Sequence, residues 1–293
     1  MQTLLDEYEK YLKTQDLSEN TLSSYIHDIR AFGLFIGAKS EYKILTVKKN
    51  KIDEYVDELK GGNRANSTIS RNVAALRRFY RFLQLQGKVK ANPALKVEIP
   101  RVEKKLPEVL TAREMVKLLN QPKCTDLKGY RDKAMLELMY ATGIKVSEII
   151  NLSVRDVDIH GGMISCNTKN HERFIPLGRA AADALGEYIK KARPLLVKGS
   201  NVKTLFVNCS GESLTRQGFW KILRGYAKAA GIKTEITAQT LRNSFAVHLL
   251  QNGADISAVS EMLGHGDIVS TKIYDKVLKN NIKKIYKKAH PRA

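Results

Sequence analysis

Apolar residues recur at intervals of three and four through the first 95 positions of the chain, which is the spacing of the buried face of an α-helix. Ser18 followed by Glu19 is typical of a helix N-cap, Ser67 or Thr68 is expected to cap a later helix, and Gly87 is expected to end it. No strand pattern interrupts the helical segments, so residues 1–95 are predicted to form a bundle of four helices. The segments are LLDEYEKYL, TLSSYIHDIRAFGLFI, KIDEYVDEL and ISRNVAALRRFYRFLQLQG.

The segment NPALKVEIPRVEKKLPEVLT contains three prolines, several charges and no sustained periodicity. These features are typical of a linker between domains, and we place the linker at residues 96–106. A chain of 293 residues is also about the length of two domains.

Residues 107–293 combine helical patterns with one region of strand pattern. Helices are predicted at TAREMVKLLN with Thr111 as cap, YRDKAMLELMYATG, VSEIINL, residues 179–193, 215–230, 238–251 and 256–263, and after Tyr274. The segments VDIHGGMISC and RFIPL alternate apolar and polar residues and adjoin the turn candidates Gly161-Gly162 and TKNHE, which predicts a small antiparallel sheet. The expected fold is mostly α with a small antiparallel β-sheet, in two domains.

The net charge of the chain indicates which class of partner it binds. It carries 50 Lys+Arg against 30 Asp+Glu, a formal net charge of +20. Such an excess favours nucleic acid as the partner over the alternative of a protein with generously solvated lysines. No apolar run approaches the roughly 18 residues of a membrane-spanning helix, and no signal-peptide core is present. The three widely spaced cysteines (Cys124, Cys166 and Cys209) form no CxxC pair and indicate a reducing compartment, so a cytoplasmic location is expected.

Four separate segments agree in order and spacing with one known family. They are ATGIKVSEIINL, HERFIPL, TLRNSFAVHLLQNGADISAVSEMLGH and STKIYDKV. Together they resemble the catalytic domain of the tyrosine recombinases, the family of phage integrases and Xer-like recombinases, over roughly residues 111–277. The helical N-terminal part resembles that family's DNA-clamping domain, so the resemblance implies a two-domain clamp on double-stranded DNA.

The resemblance also implies a reaction. A Tyr hydroxyl attacks a backbone phosphate and leaves a 3′-phosphotyrosyl link and a free 5′-hydroxyl. Because the link retains the bond energy, a 5′-hydroxyl of another strand can reverse the step, and neither a metal nor another cofactor is needed. A Tyr with a pKa of about 10 is a weak nucleophile, so the site must present cations and donors to the phosphate oxygens.

The strongest matches to the family's reactive groups are three residues. Tyr274 matches the nucleophile and lies nine positions after His265, which matches a His that donates to the phosphate or assists the Tyr proton. Arg242 matches an Arg whose planar fork engages two phosphate oxygens. Each has an ordinary structural alternative: a half-buried aromatic, a loop His or a helix-surface Arg. The joint spacing favours the catalytic assignment.

Two further candidates depart from the family pattern. Lys145 stands where the family has its first Arg, and Gln239 stands where the family usually has His. Lys145 keeps a positive charge without the two-point grip, and Gln239 donates a hydrogen bond but cannot titrate. Both keep a donor, which favours an adapted active site over a decayed one.

The family also places a Lys in the hairpin turn, where it protonates the leaving 5′-oxygen. An ungapped alignment puts Thr168 at that position and Lys169 beside it. Because hairpin turns slip easily by one residue, Lys169 is assigned and His171 is the alternative. Solvated surface lysines remain the other interpretation of Lys145 and Lys169. His248 is interpreted as structural.

Two amphipathic helices carry basic residues at helical intervals, and these residues are predicted to contact DNA. The alternative is an ordinary solvated helix face. The residues are Arg71, Arg78 and Arg81 in one helix, and Arg216, Lys221 and Arg224 in the other.

The predicted function is a site-specific DNA recombinase. Family precedent implies two protomers on each recombination site, a tetramer across two sites and exchange through a Holliday junction. The lysine-rich tail after Tyr274 has an apolar stripe and is expected to dock into a neighbouring protomer; its alternative is to pack on its own domain. The alternatives for the whole chain are a catalytically silent DNA-binding homologue, a type IB topoisomerase or a plain helical DNA-binding module. The biological role stays open between a transposon cointegrate resolvase and a chromosome-dimer resolvase.

Overall fold

The structure is a computed structural model that describes residues 2–15, 17–100, 106–168, 171–199 and 201–264, together with residues 271 and 274. The chain divides into two compact units, Met1–Lys104 and Lys105–Ala293. Each unit has a hydrophobic core of its own.

The first unit is entirely helical in the part of the chain that the structure describes. All four predicted helices are present, with one short helix that was not predicted. The helices are α1 (Gln2–Lys13), α2 (Glu19–Phe35), α3 (Glu41–Leu45), α4 (Lys49–Gly61) and α5 (Asn66–Leu85).

The helix ends in this unit test the predicted caps. The Ser18 side chain accepts a hydrogen bond from the N–H of Thr21 and caps α2 as predicted. Gly87 has a φ of 68°, the left-handed conformation expected just beyond the end of α5. The predicted cap of α5 is wrong: the helix begins at Asn66, so Ser67 and Thr68 lie within its first turn. All of the N–H groups in a first turn lack an intrahelical partner. A hydroxyl side chain can therefore be useful at more than one position there, and a Ser-Thr pair does not fix where the helix starts.

Aromatic rings fill the core of the first unit. The ring of Tyr8 packs edge-on against Phe79, with 5.0 Å between their centroids. Tyr80 is fully buried, and its hydroxyl donates to the carbonyl of Ile44 at 3.0 Å. This bond, with the buried Ile44 side chain, anchors α3 to the bundle. Five residues are too few to give a helical periodicity, which is why the sequence did not reveal α3.

The second unit surrounds a three-stranded antiparallel sheet with helices, and this confirms the predicted fold class. The sheet order is β1-β2-β3, and the β2–β3 hairpin pairs Thr168 with His171. The elements are α6 (Ala112–Leu119), α7 (Leu127–Thr142), α8 (Val146–Asn151), β1 (Val157–Asp158), β2 (Met163–Thr168), β3 (His171–Pro176), α9 (Arg179–Glu187), α10 (Arg193–Val197), α11 (Arg216–Ala229), α12 (Ala238–Gln251) and α13 (Ile256–Leu263).

Most of these bounds follow the predicted ones, and one region differs. Thr111 caps α6 through a reciprocal pair of bonds with Glu114. The helix predicted over residues 179–193 instead continues from α9 through a π-helical turn (Tyr188–Ala192) into α10. Pro194 stands at the start of α10, where its missing N–H costs no hydrogen bond.

Helix α7 lies at the centre of the second core. It packs against α6, α9, α10 and α12. Its residues Ala134, Met135, Leu136 and Leu138 are fully buried. This buried helix ends at Thr142, so the turn that follows it is held firmly beside α12.

Candidate active site

The turn after α7, the N-terminal half of α12 and the end of α13 meet in the second unit. Their meeting brings Arg242, Gln239 and Tyr274 together, and Lys145 lies two residues beyond Gly143, one of the hydrogen-bond partners of Arg242. His265 and Lys169 lie outside the described residues, as does the tail after Tyr274.

Arg242 is buried on α12, with 2% of its surface exposed. Its guanidinium donates to the carbonyl of Gly143 and, at 2.5 Å, to the carbonyl of Leu263. Burial lowers the pKa of Arg242, and the negative charge of Glu148 acts in the opposite direction. An Arg guanidinium is not deprotonated in proteins, so Arg242 stays charged. Within the described residues no carboxylate forms an ion pair with Arg242, so the cation has carbonyl partners only.

Gly143 explains the glycine of the ATG motif. It has a φ of 59° as the cap that ends α7. A Cβ at this position would lie 2.3 Å from Cδ1 of Phe245. Both the left-handed backbone and the close ring therefore require glycine, and they point its carbonyl at Arg242.

A second arginine, Arg173 of β3, forms an ion pair with Glu148 that we call the clasp. Nη1 and Nη2 of Arg173 donate to the two carboxylate oxygens of Glu148 at 3.0 and 2.8 Å. Nε of Arg173 donates to the carbonyl of Met262 at 3.0 Å, and Glu148 also accepts from the backbone N–H of Lys145 at 2.7 Å. The clasp thus joins the hairpin, the start of α8 and the end of α13.

The electrostatics of the clasp favour the ionised pair. Burial acts to raise the pKa of Glu148, but the hydrogen bonds from Arg173 and from the Lys145 backbone outweigh it and hold the pKa below its usual value. Neither residue was predicted from the sequence to belong to the site. Both lie inside the matched segments, but two charges 25 positions apart carry no local signal of their pairing.

Lys145 is exposed at the start of α8. The clasp fixes its backbone through the bond to Glu148, while its side chain remains at the surface. This arrangement suits a cation that meets an anion arriving from solvent.

Tyr274 is buried, with 3% of its surface exposed. Its hydroxyl donates to Oδ1 of Asn243 at 3.1 Å. Burial raises the pKa of Tyr274, and the charge of Arg242 acts in the opposite direction. The hydroxyl is therefore protonated in this arrangement, although the nearby charge of buried Arg242 favours its ionisation.

Asn243 is a further residue of the site that was not predicted from the sequence. Its Oδ1 also accepts from Nε2 of Gln239 at 2.9 Å, and its Nδ2 donates to the carbonyl of Glu108 at 3.2 Å. Asn on an amphipathic helix is usually a surface residue, so nothing in the pattern marked it. Its position next to Arg242 was the only available hint.

His248 has a structural role, as predicted. Its ring lies between the hydroxyl of Tyr140, 2.9 Å from Nδ1, and the carbonyl of Leu110, 3.0 Å from Nε2. Since a carbonyl only accepts, Nε2 carries the proton and Nδ1 accepts from Tyr140. Burial lowers the pKa of His248, which agrees with this neutral form.

The basic residues predicted to contact DNA differ in their exposure and in their hydrogen-bond partners within the protein. On α11, Arg216, Lys221 and Arg224 are all exposed, and Arg224 lies over the ring of Trp220, 4.5 Å from its centroid. Helix α11 packs against α8, which begins beside Lys145.

On α5 the predicted residues are more engaged. Arg71 donates two hydrogen bonds of 2.9 Å to Asp28, which is almost fully buried. Arg78 makes a longer contact of 3.4 Å with Gln15, and Arg81 is exposed. The partner of Arg71 means that its role in this structure is to join α5 to α2, and any contact with DNA would use the exposed side of an already paired guanidinium.

Within the described ranges, no group of three or more His, Cys, Asp or Glu side chains is arranged to hold a metal ion. Within the same ranges, no helix has the length and apolar character needed to cross a membrane.

Comparison with known proteins gives matches over the whole chain. The Phage integrase family matches residues 108–281, and the Phage integrase, N-terminal SAM-like domain family matches residues 5–87. The chain is 40% identical to "Tyrosine recombinase XerD" of Staphylococcus epidermidis and 41% identical to the protein of the same name from Halalkalibacterium halodurans, in both cases over 100% of each chain.

Solved structures share the fold at lower identity. The XerH site-specific recombinase bound to its palindromic difH substrate, in a post-cleavage complex, matches with a TM-score of 0.78 and 20% identity, over 96% of this chain and 82% of that one. A lambda integrase dimer bound to a COC′ core site matches with a TM-score of 0.73 and 17% identity, over 94% of each chain.

Proposed function

Because the chain belongs to the phage integrase family of tyrosine recombinases, enzymes that cleave and rejoin DNA, we propose that it is a site-specific DNA recombinase with Tyr274 as its nucleophile. The observation that carries the assignment is the placement of Tyr274 beside Arg242: the Tyr274 hydroxyl donates to Asn243, the next residue of α12. A buried cation without a carboxylate partner in the described residues lies close enough to the Tyr274 hydroxyl to act on its pKa.

The proposed mechanism follows from the charge of each group. A DNA phosphate supplies the anion that Arg242 lacks, and the guanidinium fork can engage two of its oxygens. Lys145, at the exposed start of α8, contributes a second positive charge, and Gln239 contributes a donor that does not titrate. As Tyr274 attacks, these groups stabilise the negative charge that grows on the phosphate oxygens. His265 and Lys169 keep the roles that the family resemblance implies: the His assists at the phosphate, and the Lys protonates the leaving 5′-oxygen.

The two parts of the chain divide the work in this proposal. Residues 1–95 clamp double-stranded DNA, residues 96–106 link, and residues 107–293 carry the chemistry and a C-terminal docking helix. The exposed basic residues of α11 contact the phosphate backbone or a groove of a specific recombination site. The protein self-associates to a tetramer on DNA, resolves a Holliday junction and acts in the cytoplasm. The names of the relatives support recombination, and the DNA-bound structures support the partner.

Covalent capture tests the proposal. On a nicked suicide site, the wild-type protein is expected to form a covalent protein–DNA adduct through Tyr274 without added metal, because the displaced strand cannot return to reverse the step. Tyr274→Phe removes the hydroxyl and is expected to abolish the adduct while site binding, measured by gel shift, persists.

The control is Tyr226→Phe, which removes a hydroxyl that donates to Asp132 at 3.0 Å elsewhere in the unit. This variant is expected to keep forming the adduct. Site binding by the wild type without any adduct would instead identify a catalytically silent DNA-binding homologue.

A further inference from the structure

One amide side chain organises the surroundings of the proposed nucleophile. Oδ1 of Asn243 accepts from two donors, the hydroxyl of Tyr274 at 3.1 Å and Nε2 of Gln239 at 2.9 Å. Nδ2 of Asn243 donates to the carbonyl of Glu108 at 3.2 Å. Asn243 itself is buried, so these three bonds form in a region that excludes most water.

The bonds fix which way the amide faces. If the amide were turned over, Nδ2 would face the Tyr274 hydroxyl and the Gln239 amide nitrogen, and Oδ1 would face the Glu108 carbonyl, so two contacts would lose their donor–acceptor match. The carbonyl of Glu108 therefore holds the acceptor of Asn243 towards Tyr274. A residue without both an acceptor and a donor could not satisfy all three groups.

The Tyr274 hydroxyl is not placed for attack in this arrangement. With 3% of its surface exposed, the side chain offers almost no access to a phosphate on a DNA duplex. Its proton is donated to a neutral amide, which does not withdraw it, and burial raises its pKa. A hydroxyl in this condition must leave its place before it can attack.

We propose that Asn243 is a positioning residue that holds the Tyr274 hydroxyl in a buried resting position. We call this position, formed by Asn243 with Gln239 and the carbonyl of Glu108, the seat. Tyr274 must leave the seat before the phosphate is attacked. The inference rests on the proposed role of Tyr274 as the nucleophile. Gln239 links the seat to the substrate, because the amide that donates to Asn243 is the same amide proposed to donate to the phosphate. When Gln239 turns to a phosphate, Asn243 loses one of the two bonds that hold its Oδ1 in place.

Chemical modification of the DNA-free, full-length protein tests the seat directly. Tetranitromethane nitrates accessible tyrosines, and peptide mass spectrometry measures each site. The chain supplies its own references: Tyr42 is 75% exposed and marks full reaction, whereas fully buried Tyr188 of the second unit, whose hydroxyl donates to the carbonyl of Leu205 at 3.0 Å, marks protection.

Asn243→Ala is expected to raise nitration of Tyr274 about fivefold relative to Tyr42, the ratio that corresponds to losing a hydrogen bond of about 1 kcal/mol. Tyr188 is expected to stay protected. Asn252→Ala is the matched control, because Asn252 ends the same helix and donates to the carbonyl of His248, away from the seat; no change is expected.

Unchanged nitration of Tyr274 in Asn243→Ala overturns the proposal. If Asn243→Ala loosens the whole second unit, seen as a parallel rise at Tyr188, the variant Asn243→Ser decides: its hydroxyl is too short to reach Tyr274, so protection at the wild-type level there also overturns the proposal.

The capture assay adds a second readout. Asn243→Ala is expected to form the adduct faster than the wild type, by up to about fivefold, because it weakens the resting position that Tyr274 must leave. A loss of more than about tenfold per folded molecule would place Asn243 in the transition state and refute the seat. The nitration result uses neither DNA nor cleavage, so it can fail while Tyr274→Phe still abolishes the adduct, and the reverse also holds.

Discussion

The surroundings of Arg242 and of Arg173 show two ways to bury an arginine within one site. Both side chains reach the end of α13, where Arg173 donates to the carbonyl of Met262 and Arg242 to that of Leu263. Arg173 is neutralised by the two oxygens of Glu148, whereas the bonds of Arg242 go to carbonyls alone within the described part of the chain.

This difference in partners separates an arginine that stabilises the fold from one that we propose acts on the substrate. A buried cation is costly unless a negative charge compensates it. Glu148 compensates the charge of Arg173 inside the fold, and the pair holds three elements together. Arg242 has no carboxylate in contact within the described residues, and in the proposed mechanism the DNA phosphate supplies that negative charge. The clasp joins the elements around it.

The largest expected effect is on the clasp. Arg173→Ala leaves Glu148 buried without its partner, and breaking a buried pair in this way costs about 3–5 kcal/mol of unfolding free energy. Urea denaturation followed by the fluorescence of Trp220, the single tryptophan of the sequence, reports on the second unit. Arg179→Ala is the control because its ion pair with Asp183 is exposed, and such pairs contribute about 0–1 kcal/mol. Equal losses in the two variants would contradict the role given to the clasp.

The next effect is on catalysis at Arg242. Arg242→Ala is expected to slow adduct formation about 10²–10³-fold per folded molecule, the usual effect of removing one donor to a developing oxyanion. Arg242→Lys keeps the charge without the fork and should recover part of the rate. Single-turnover cleavage of the nicked site measures both. If Arg173→Ala slowed the folded enzyme as much as Arg242→Ala, the division between the two arginines would be wrong.

The smallest expected effect is on the stability of the protein at low pH. Glu148 has a folded-state pKa below its usual 4.5, so the clasp contributes fully above that pH and its contribution is lost as the pH falls through the folded-state value. Glu148→Gln cannot ionise and lacks this component. The stability difference between the wild type and this variant is therefore expected to shrink below about pH 4.5. Thermal unfolding from pH 7 to pH 3 checks it, and a constant difference over that range would contradict it.

The helices of this fold were predictable where local signals mark their ends. The bounds of α12 and α13 agree with the predicted residues 238–251 and 256–263, because Thr237 and Asp255 cap them and Gly264 ends the second. The turn from α9 into α10 passes through a π-helical stretch, which an apolar period of 3.6 residues does not distinguish from α-helix.

The site was predictable only in part, for a physical reason. Arg242 and Tyr274 lie in segments whose spacing could be matched, and the structure brings them together. Asn243, Glu148 and Arg173 act through contacts with residues far along the chain, such as Glu108 and Met262. Long-range contacts of this kind leave no periodic trace in one sequence.

Gly264 turns the clasp into a constraint on how this protein can change. Its φ of 61° ends α13, and a Cβ there would lie 2.6 Å from Nη1 of Arg173. The tip of an arginine can usually swing aside, but this one is tied to Glu148 and to Met262. Every mutation that alters Gly264 introduces a Cβ, and removing Arg173 would relieve only the contact, because the left-handed backbone would still strain a residue other than glycine. Position 264 is thus expected to reject new residues in directed evolution, both singly and together with a change at position 173.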